Sequence, residues 1–339
     1  MAISKTILAA LTHMLPDAQH TYRIQRIMED VSSKLELDIA DRCRVNDIAT
    51  TLDDGYELGL RVFTPTDAPL RGTILFFHGG GWATGSAQLY SDACAHLADA
   101  MHRQVVSVDY RRAPDHKFPR PFLDCYEAAV QLYSGKLLIP NQEGTRLAPA
   151  DPASITLFGD SAGGNLAAAV ALKARDTQDF QVRRQMLLYP CLNNDYDPAT
   201  TPYDSVRTNG KDYMLTAQDM RDYVNMYKAD DADLDNPYFA PLMERDYTHL
   251  PRTLVMSAEY CPLRDEDEEY AKRLKEASDD VQCYRVTNGV HGYFLYPRIS
   301  DLVQTTFALI AHFLDDVPLE PKMADDGKEP AWREVLGTD

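Results

Sequence analysis

The sequence predicts an α/β fold in which a mostly parallel central sheet is covered by helices on both faces. Short apolar runs that suit buried strands alternate along the chain with longer amphipathic runs at helical spacing. In the middle of the chain, the run at 154–158 enters a tight glycine turn and then an alanine-rich segment at 166–174. Strands that alternate with helices need crossover connections, and these produce a parallel sheet with both faces covered.

The predicted elements begin with two amphipathic helices in residues 1 to about 40, separated by Pro16. Asp53-Asp54-Gly55 then joins strands at 44–51 and 56–63, because an Asp-Gly pair between alternating segments is a strong hairpin signal. Further strands are predicted at 73–77, 104–108, 154–158, 185–189, 253–257 and 281–286, and further helices at 121–133, 166–174, 216–227, 265–277 and 299–313.

These elements divide the chain into segments. Residues 1–45 are a helical N-terminal segment, and residues 46–192 and 237–316 are the two parts of the α/β core. Residues 193–236 are polar, rich in Asp and Tyr and without a strand pattern, so we predict an insertion with one helix. Residues 317–339 are a polar tail with prolines, which we expect to be disordered or to lie on the surface.

The charge balance argues against two classes of partner. Lys and Arg number 34 against 52 Asp and Glu, a net charge of −18, whereas nucleic acids and anionic membranes both require a basic surface. No apolar run approaches the length of a membrane span, and the N-terminus has no signal-peptide cleavage pattern. We therefore expect a cytoplasmic protein without metal or cofactor, in which the scattered cysteines are reduced thiols: Cys43, Cys94, Cys125, Cys191, Cys261 and Cys283.

The segment Gly159-Asp160-Ser161-Ala162-Gly163 has the G-x-S-x-G pattern of a nucleophile elbow, in which a serine sits on a sharp turn between a strand and a helix. Gly159 and Gly163 lack a Cβ, so the strand and the helix can approach closely while Ser161 adopts strained dihedrals. The helix that begins after Ser161 directs backbone N–H groups and a partial positive charge at any oxyanion formed there. This pattern predicts a nucleophilic serine.

Two further glycine-containing loops supply the groups that such a serine needs. The run His78-Gly79-Gly80-Gly81-Trp82 follows a buried strand and leaves backbone N–H groups free for an oxyanion. His291 follows the last strand and is flanked by Gly289 and Gly292, where the chain order serine, acid, histidine would place a base.

With these motifs the chain resembles the hormone-sensitive-lipase family of α/β-hydrolases, the esterases with an H-G-G-G loop. The resemblance runs from about residue 72 to 294, and its pieces are His78-Gly79-Gly80-Gly81, Val108-Asp109-Tyr110-Arg111 with Ala113-Pro114, Gly159-Asp160-Ser161-Ala162-Gly163-Gly164-Asn165, Asn236-Pro237-Tyr238 with Pro241-Leu242, Ala258-Glu259-Tyr260 with Pro262-Leu263-Arg264-Asp265-Glu266, and His291-Gly292. It implies an α/β-hydrolase fold with a helical cap formed by residues 1–45 and 193–236. It also implies the site residues: Ser161 as nucleophile, His291 as base, and the N–H groups of Gly79, Gly80, Gly81 and Ala162 as the oxyanion hole.

The sequence departs from the family at the triad acid. The family carries an aspartate at the start of a D-P-L-x-D-E turn, and this chain carries Cys261 there, at the expected spacing before His291. A neutral thiol is a weak hydrogen-bond acceptor and cannot stabilise an imidazolium as a carboxylate does. Three hypotheses stay open: Asp265 reaches His291 and is the acid, a carboxylate after the sixth strand such as Asp195 replaces it, or the triad is incomplete. For Asp265, a helix N-cap is the competing interpretation.

The leading functional hypothesis is a carboxylesterase that cleaves a small-molecule ester through an acyl-enzyme intermediate. An insertion rich in tyrosine favours small acyl, aromatic or partly polar esters over long-chain lipids, although packing explains the tyrosines equally well: Tyr196, Tyr203, Tyr213, Tyr223 and Tyr227. The alternative is a weakly active or non-catalytic small-molecule-binding protein on the same fold, since the gibberellin receptors of plants resemble this family and lack the catalytic histidine. A homodimer is left open.

Overall fold

The computed structural model describes residues 43–277, 280–297, 300–324 and 327–337. Over these residues a nine-stranded sheet runs in the order β1-β2-β4-β3-β7-β8-β9-β10-β11. The five pairs from β4 to β10 are parallel, while β1/β2, β2/β4 and β10/β11 are antiparallel. The strands are β1 Cys43–Thr51, β2 Glu57–Pro65, β3 Thr73–Phe77, β4 Gln104–Val108, β7 Ile155–Asp160, β8 Arg184–Leu188, β9 Arg252–Tyr260, β10 Val281–Val290 and β11 Trp332–Glu334. A separate antiparallel pair consists of β5 Leu138–Pro140 and β6 Leu147–Pro149.

The helices pack on the sheet through apolar side chains. Those described are α1 Ser91–Met101, α2 Arg120–Tyr133, α3 Ala162–Thr177, α4 Asp204–Asn209, α5 Ala217–Tyr227, α6 Arg264–Ala277 and α7 Asp301–Asp315. Helix α1 contacts α7, and α2 contacts α3, so the helices meet in neighbouring pairs along the sheet. Every residue of β3, β4 and β7 is buried, as expected for central strands of a parallel sheet that is covered on both faces.

The predicted fold class, a mostly parallel sheet with helices on both faces, is confirmed. The hairpin is also found: Gly55 has a φ of 83° in the turn, and Thr51 pairs with Glu57. The predicted strands and helices from residue 73 onward occur within a few residues of their expected ends. The predicted helices of residues 1–40 lie outside the described residues, and residues 43–45 of the predicted helical segment belong to β1.

Two connections contain strands that the sequence analysis did not predict. The 137–152 connection contains β5 and β6, and the polar tail contains the edge strand β11. The ring of Trp332 packs edge-to-face against that of Tyr284 with centroids 5.3 Å apart, and Ala331 is buried. The tail was expected to be disordered or to lie on the surface, and here it lies on the surface as an edge strand, because pairing with β10 and one aromatic contact order a segment whose average composition is polar. No helix among the described residues has the length and apolar character needed to cross a membrane.

Candidate active site

Ser161 lies on a strained turn between β7 and α3. Its φ of 56° and ψ of −122° fall outside the regions that L-residues ordinarily adopt. The two flanking glycines make the turn feasible, because a Cβ on Gly159 would lie 2.1 Å from the Gly163 carbonyl oxygen and a Cβ on Gly163 would lie 1.9 Å from that of Phe77. The turn therefore has the geometry that the G-x-S-x-G pattern predicts.

Ser161, His291 and Cys261 form a hydrogen-bonded line. The Ser161 Oγ lies 2.8 Å from His291 Nε2, and His291 Nδ1 lies 3.2 Å from Cys261 Sγ. The Leu263 backbone N–H also donates to Cys261 Sγ, at 3.4 Å. His291 follows the end of β10, and Gly292 turns the chain with a φ of 78°. The structure thus brings the two sequence-predicted groups together and places a thiol on the far side of the imidazole.

Burial keeps this line neutral. It lowers the pKa of His291 to about 3, so the imidazole is uncharged and can accept a proton at neutral pH. Burial, and next the nearby carboxylate of Asp267, raise the pKa of the Cys261 thiol well above its usual value. Cys261 is therefore a neutral thiol and not a thiolate.

The expectation that Asp265 supplies the acid is wrong in this geometry. Its Oδ2 accepts a 2.7 Å hydrogen bond from the Ser205 backbone N–H, and its Oδ1 accepts from Arg264 Nε at 2.9 Å. Asp265 thus bonds an N–H in the first turn of α4 in the insertion, while the ring nitrogens of His291 meet Ser161 and Cys261. The alternative Asp195 also has other partners, the Asp197 backbone N–H and the Thr200 hydroxyl.

The glycine loop is held in place by the buried carboxyl group of Asp160. The Gly79 N–H donates to Asp160 Oδ1 at 2.9 Å, and the Tyr90 hydroxyl donates to Oδ2 at 2.9 Å. Burial raises the pKa of Asp160 to about 7 in spite of these hydrogen bonds. Because its N–H is already bonded, Gly79 is removed from the expected oxyanion donors, and Gly80, Gly81 and Ala162 are left as candidates.

His78 is a structural member of the same loop. Its ring stacks on Tyr110 with centroids 4.2 Å apart, and its Nδ1 lies 2.8 Å from the Gly79 carbonyl oxygen. Complete burial lowers the pKa of His78 to about 4, so it stays neutral and does not titrate near neutral pH.

Part of the insertion covers the glycine loop. A Cβ on Gly81 would meet the ring of Tyr223, a residue of α5, at 2.3 Å. Tyr227 of the same helix stacks on Trp82, which follows the loop, with centroids 4.4 Å apart. Asn165 of α3 links Trp82 to the segment that follows the insertion. It accepts a hydrogen bond from Trp82 Nε1 at 3.2 Å and donates one to the Phe239 carbonyl oxygen at 2.8 Å.

Sequence reasoning missed two buried acids behind the thiol. Glu266 Oε1 accepts from the Leu192 backbone N–H at 2.7 Å and from the Tyr196 hydroxyl at 2.8 Å, and burial raises its pKa to about 8. Asp267 is fully buried as well. The signal was helical phase: Asp267, Tyr270, Ala271 and Leu274 recur at the spacing of one buried face.

Comparison with known proteins agrees with this geometry. The profile of the α/β hydrolase fold matches residues 74–295. The arylesterase of Saccharolobus solfataricus is 35% identical over 301 residues, which are 87% of this chain and 92% of that protein. The chain belongs to the α/β-hydrolase family. A carboxylic ester hydrolase of Mycobacterium tuberculosis is 31% identical over 70% of this α/β-hydrolase and 61% of its own length.

Solved structures extend the likeness to the whole fold. A hyperthermophilic esterase from Pyrobaculum calidifontis superposes with a TM-score of 0.79 and 32% identity, covering 93% of this α/β-hydrolase and 98% of that chain. The family, the fold and the carboxylesterase class that the sequence predicts are confirmed.

Proposed function

We propose that this α/β-hydrolase is a serine hydrolase that cleaves carboxylic esters through an acyl-enzyme intermediate, with Ser161 as nucleophile and His291 as general base. The observation that carries the proposal is the 2.8 Å contact between Ser161 Oγ and His291 Nε2 at a strained elbow. A serine hydroxyl is a weak nucleophile until an adjacent base can take its proton, and the neutral His291 can do so.

In acylation, Ser161 Oγ attacks the ester carbonyl carbon while its proton moves to His291 Nε2. The resulting imidazolium then gives this proton to the leaving alkoxide. In deacylation, His291 takes a proton from water, the hydroxide attacks the acyl carbon, and the proton returns to Ser161 as the acid is released. The tetrahedral oxyanion accepts hydrogen bonds from the Ala162 N–H at the start of α3 and from the Gly80 and Gly81 N–H groups.

The thiol at position 261 makes this a slow version of the reaction. A carboxylate beside Nδ1 stabilises the imidazolium and fixes its tautomer, and loss of that function in a serine triad costs on the order of 10⁴ in turnover. Cys261 keeps a hydrogen bond to Nδ1, at 3.2 Å, but brings no charge of its own. We therefore expect measurable turnover well below that of a complete triad.

The position of α5 over the glycine loop supports a preference for small ester substrates. Tyr223 occupies the space next to Gly81, so the ester must fit beside an aromatic ring close to the oxyanion loop. Short acyl groups and aromatic or partly polar alcohols meet this requirement better than long chains. The cytoplasmic location and the homodimer stay predictions.

The alternative is a small-molecule-binding protein with little or no catalysis. The absence of a carboxylate from the hydrogen-bonded line favours it, and the intact contact between Ser161 and His291 argues against it.

The test is kcat/KM on p-nitrophenyl esters of increasing acyl length, combined with titration by a serine-reactive phosphonate. We expect stoichiometric labelling, a preference for short chains, and loss of both labelling and turnover in Ser161→Ala. Asp265→Asn serves as a control for the rejected acid candidate and should change kcat by less than about threefold, because Asp265 bonds Ser205 and Arg264. A folded native protein that is neither labelled nor active, yet binds an ester analogue, would establish the binding role instead.

A further inference from the structure

The end of β8 and the loop that follows it contact both members of the catalytic pair. The Leu188 carbonyl oxygen accepts from the Ser161 N–H at 2.9 Å, and the Cys191 N–H donates to the Ser161 carbonyl oxygen at 3.2 Å. Between these two contacts, the ring of Tyr189 packs on that of His291, with centroids 4.8 Å apart and an interplanar angle of 55°. The backbone of this segment therefore holds the elbow, while its tyrosine packs on the base.

Tyr189 is fully buried and is itself held from several sides. Its backbone N–H donates to the Met256 carbonyl oxygen of β9 at 2.7 Å. Its hydroxyl oxygen accepts from the Phe294 N–H at 3.2 Å and lies 3.5 Å from Oδ2 of Asp160, the residue that holds the glycine loop. Its ring also packs edge-to-face against Tyr293, with centroids 5.3 Å apart. The side chain is thus fixed with respect to β9 and to the residues that follow the base.

The backbone of Tyr189 adopts a conformation that packing alone does not require. Its φ of 36° lies in the left-handed region, where the Cβ of an L-residue comes too close to the following carbonyl oxygen. Such strain persists only where the surroundings fix it, and it clusters at active sites. In this protein the strained residue contacts the catalytic base, which indicates a role connected with His291.

His291 lacks the group that usually orients a catalytic imidazole. In a complete triad, a carboxylate accepts a strong hydrogen bond from Nδ1 and so fixes the plane of the ring. Here Nδ1 meets only the neutral Cys261 thiol at 3.2 Å, and sulfur is a weak hydrogen-bond acceptor. The thiol therefore opposes rotation of the imidazole about its Cβ–Cγ bond less than a carboxylate would, and a rigid neighbour in contact with the ring must supply the remaining restraint.

We propose that Tyr189 is a positioning residue whose ring restricts rotation of the His291 imidazole and so keeps Nε2 directed at Ser161. The hydroxyl of Tyr189 anchors this ring to the Phe294 N–H, in the same loop as the base. Burial raises the pKa of Tyr189 well above its usual value, so the phenol stays protonated and takes no part in proton transfer. Orientation that a triad carboxylate would provide comes instead from an aromatic contact. This inference rests on the proposed roles of Ser161 and His291.

The test compares Tyr189→Leu and Tyr189→Phe in two backgrounds, native Cys261 and Cys261→Asp. With Cys261, Tyr189→Leu should lower kcat by about 10- to 100-fold with KM within about twofold, because the base is misplaced while the substrate site is intact. Tyr189→Phe keeps the ring and should keep kcat within about fivefold. With Cys261→Asp, the new carboxylate orients the imidazole, so the loss caused by Tyr189→Leu should shrink to less than about fivefold.

Tyr270→Leu is the matched control, because Tyr270 is also fully buried and its ring packs on Tyr247. It should lower Tm and leave kcat unchanged. An equal loss from Tyr189→Leu in both backgrounds would mean a general structural role and would overturn the proposal. Equal losses from Tyr189→Leu and Tyr189→Phe, or an unchanged kcat in Tyr189→Leu, would overturn it as well.

The second measurement does not depend on activity. In protein labelled with ¹³C-histidine, the ring signals of His291, assigned by His291→Ala, report how many orientations the imidazole adopts. We expect one sharp set in the native protein and in Tyr189→Phe, and shifted, broadened signals in Tyr189→Leu. If that variant does not fold, Tyr189→Met, which fills the space without a ring, takes its place. Several His291 orientations in the native protein, or native signals in Tyr189→Leu, would refute the inference, whereas failure of Ser161→Ala to abolish turnover would refute only the proposed function.

Discussion

Replacement of Cys261 by aspartate tests most directly how the missing acid limits this carboxylesterase. The substitution places a carboxylate where Sγ now lies, 3.2 Å from His291 Nδ1. A hydrogen bond to a charged group contributes about 1.5–3 kcal/mol and a neutral one about 1 kcal/mol, so the exchange of thiol for carboxylate gains about 0.5–2 kcal/mol. Because 1.36 kcal/mol is tenfold in rate, kcat should rise by about 2- to 30-fold. The lower end is expected for Cys261→Asp, because position 261 is fully buried and burial disfavours the charged form of a carboxyl group placed there.

The same substitution also predicts a change in pH dependence. Burial holds the pKa of His291 at about 3 in the native protein. A carboxylate at position 261 favours the imidazolium and raises that pKa, so the acid limb due to His291 should move to higher pH.

The assay is kcat and kcat/KM on p-nitrophenyl acetate from pH 4 to 9, with active sites counted by phosphonate titration. Cys261→Asn is the control of similar shape without charge and should not gain activity. The reasoning would be refuted by a folded, fully titratable Cys261→Asp protein with less than a twofold gain in kcat, because the acid position would then not limit the reaction.

Three further outcomes are expected. Burial raises the pKa of Asp160 from 3.8 to about 7, so the destabilisation due to its ionisation begins above about pH 4 and is complete above about pH 7. Relative to Asp160→Asn, the native protein should lose up to a few kcal/mol of unfolding free energy over that pH range, as measured by urea titration. Parallel curves of unfolding free energy against pH for the two proteins would contradict this. Gly163→Ala places a Cβ 1.9 Å from a backbone oxygen and should abolish labelling of Ser161 and lower Tm strongly. Gly292→Ala, at a φ of 78° with open space around the new Cβ, should lower the free energy of unfolding by only about 1 kcal/mol. Equal Tm values for the two variants would refute the steric argument. Trp332→Ala removes the contact with Tyr284 and should lower Tm by several degrees without changing kcat, and an unchanged Tm would mean that β11 adds nothing to the sheet.

The central sheet could be predicted from the sequence because its signals are local. The strands at 73–77 and 104–108 are short, fully apolar and followed by turn residues, and they occur where they were expected. The elbow was predictable for the same reason, since the steric demand that links Gly159 to Gly163 lies within five consecutive residues. Strand β11 was not predictable, because its order comes from a partner strand about fifty residues earlier in the chain.

In the candidate site, too, local signals were predictable from the sequence and long-range contacts were not. Ser161 and His291 are marked by glycines in their own loops, and the structure brings them together. The oxyanion donors were predicted too generously, because nothing near Gly79 in the sequence indicates that its N–H is bonded to Asp160, a residue far along the chain. A backbone N–H is a general donor, and only the fold decides which acceptor it meets.

The acid of the site shows what a local pattern cannot supply. Asp265, Glu266 and Asp267 are consecutive residues with the same chemistry, yet successive residues of a helix point about 100° apart and so meet different surroundings. Asp265 accepts from an N–H at the start of α4, Glu266 accepts from N–H groups of the loop after β8, and Asp267 is fully buried with no hydrogen-bond partner for its carboxyl oxygens among the described residues. Proximity in sequence to position 261 favoured Asp265, but the helix turns the Asp265 side chain to the insertion, and it is Glu266 and Asp267 that are fully buried. Three consecutive acids therefore have three different surroundings, and only the fold decides that none of them hydrogen-bonds to His291.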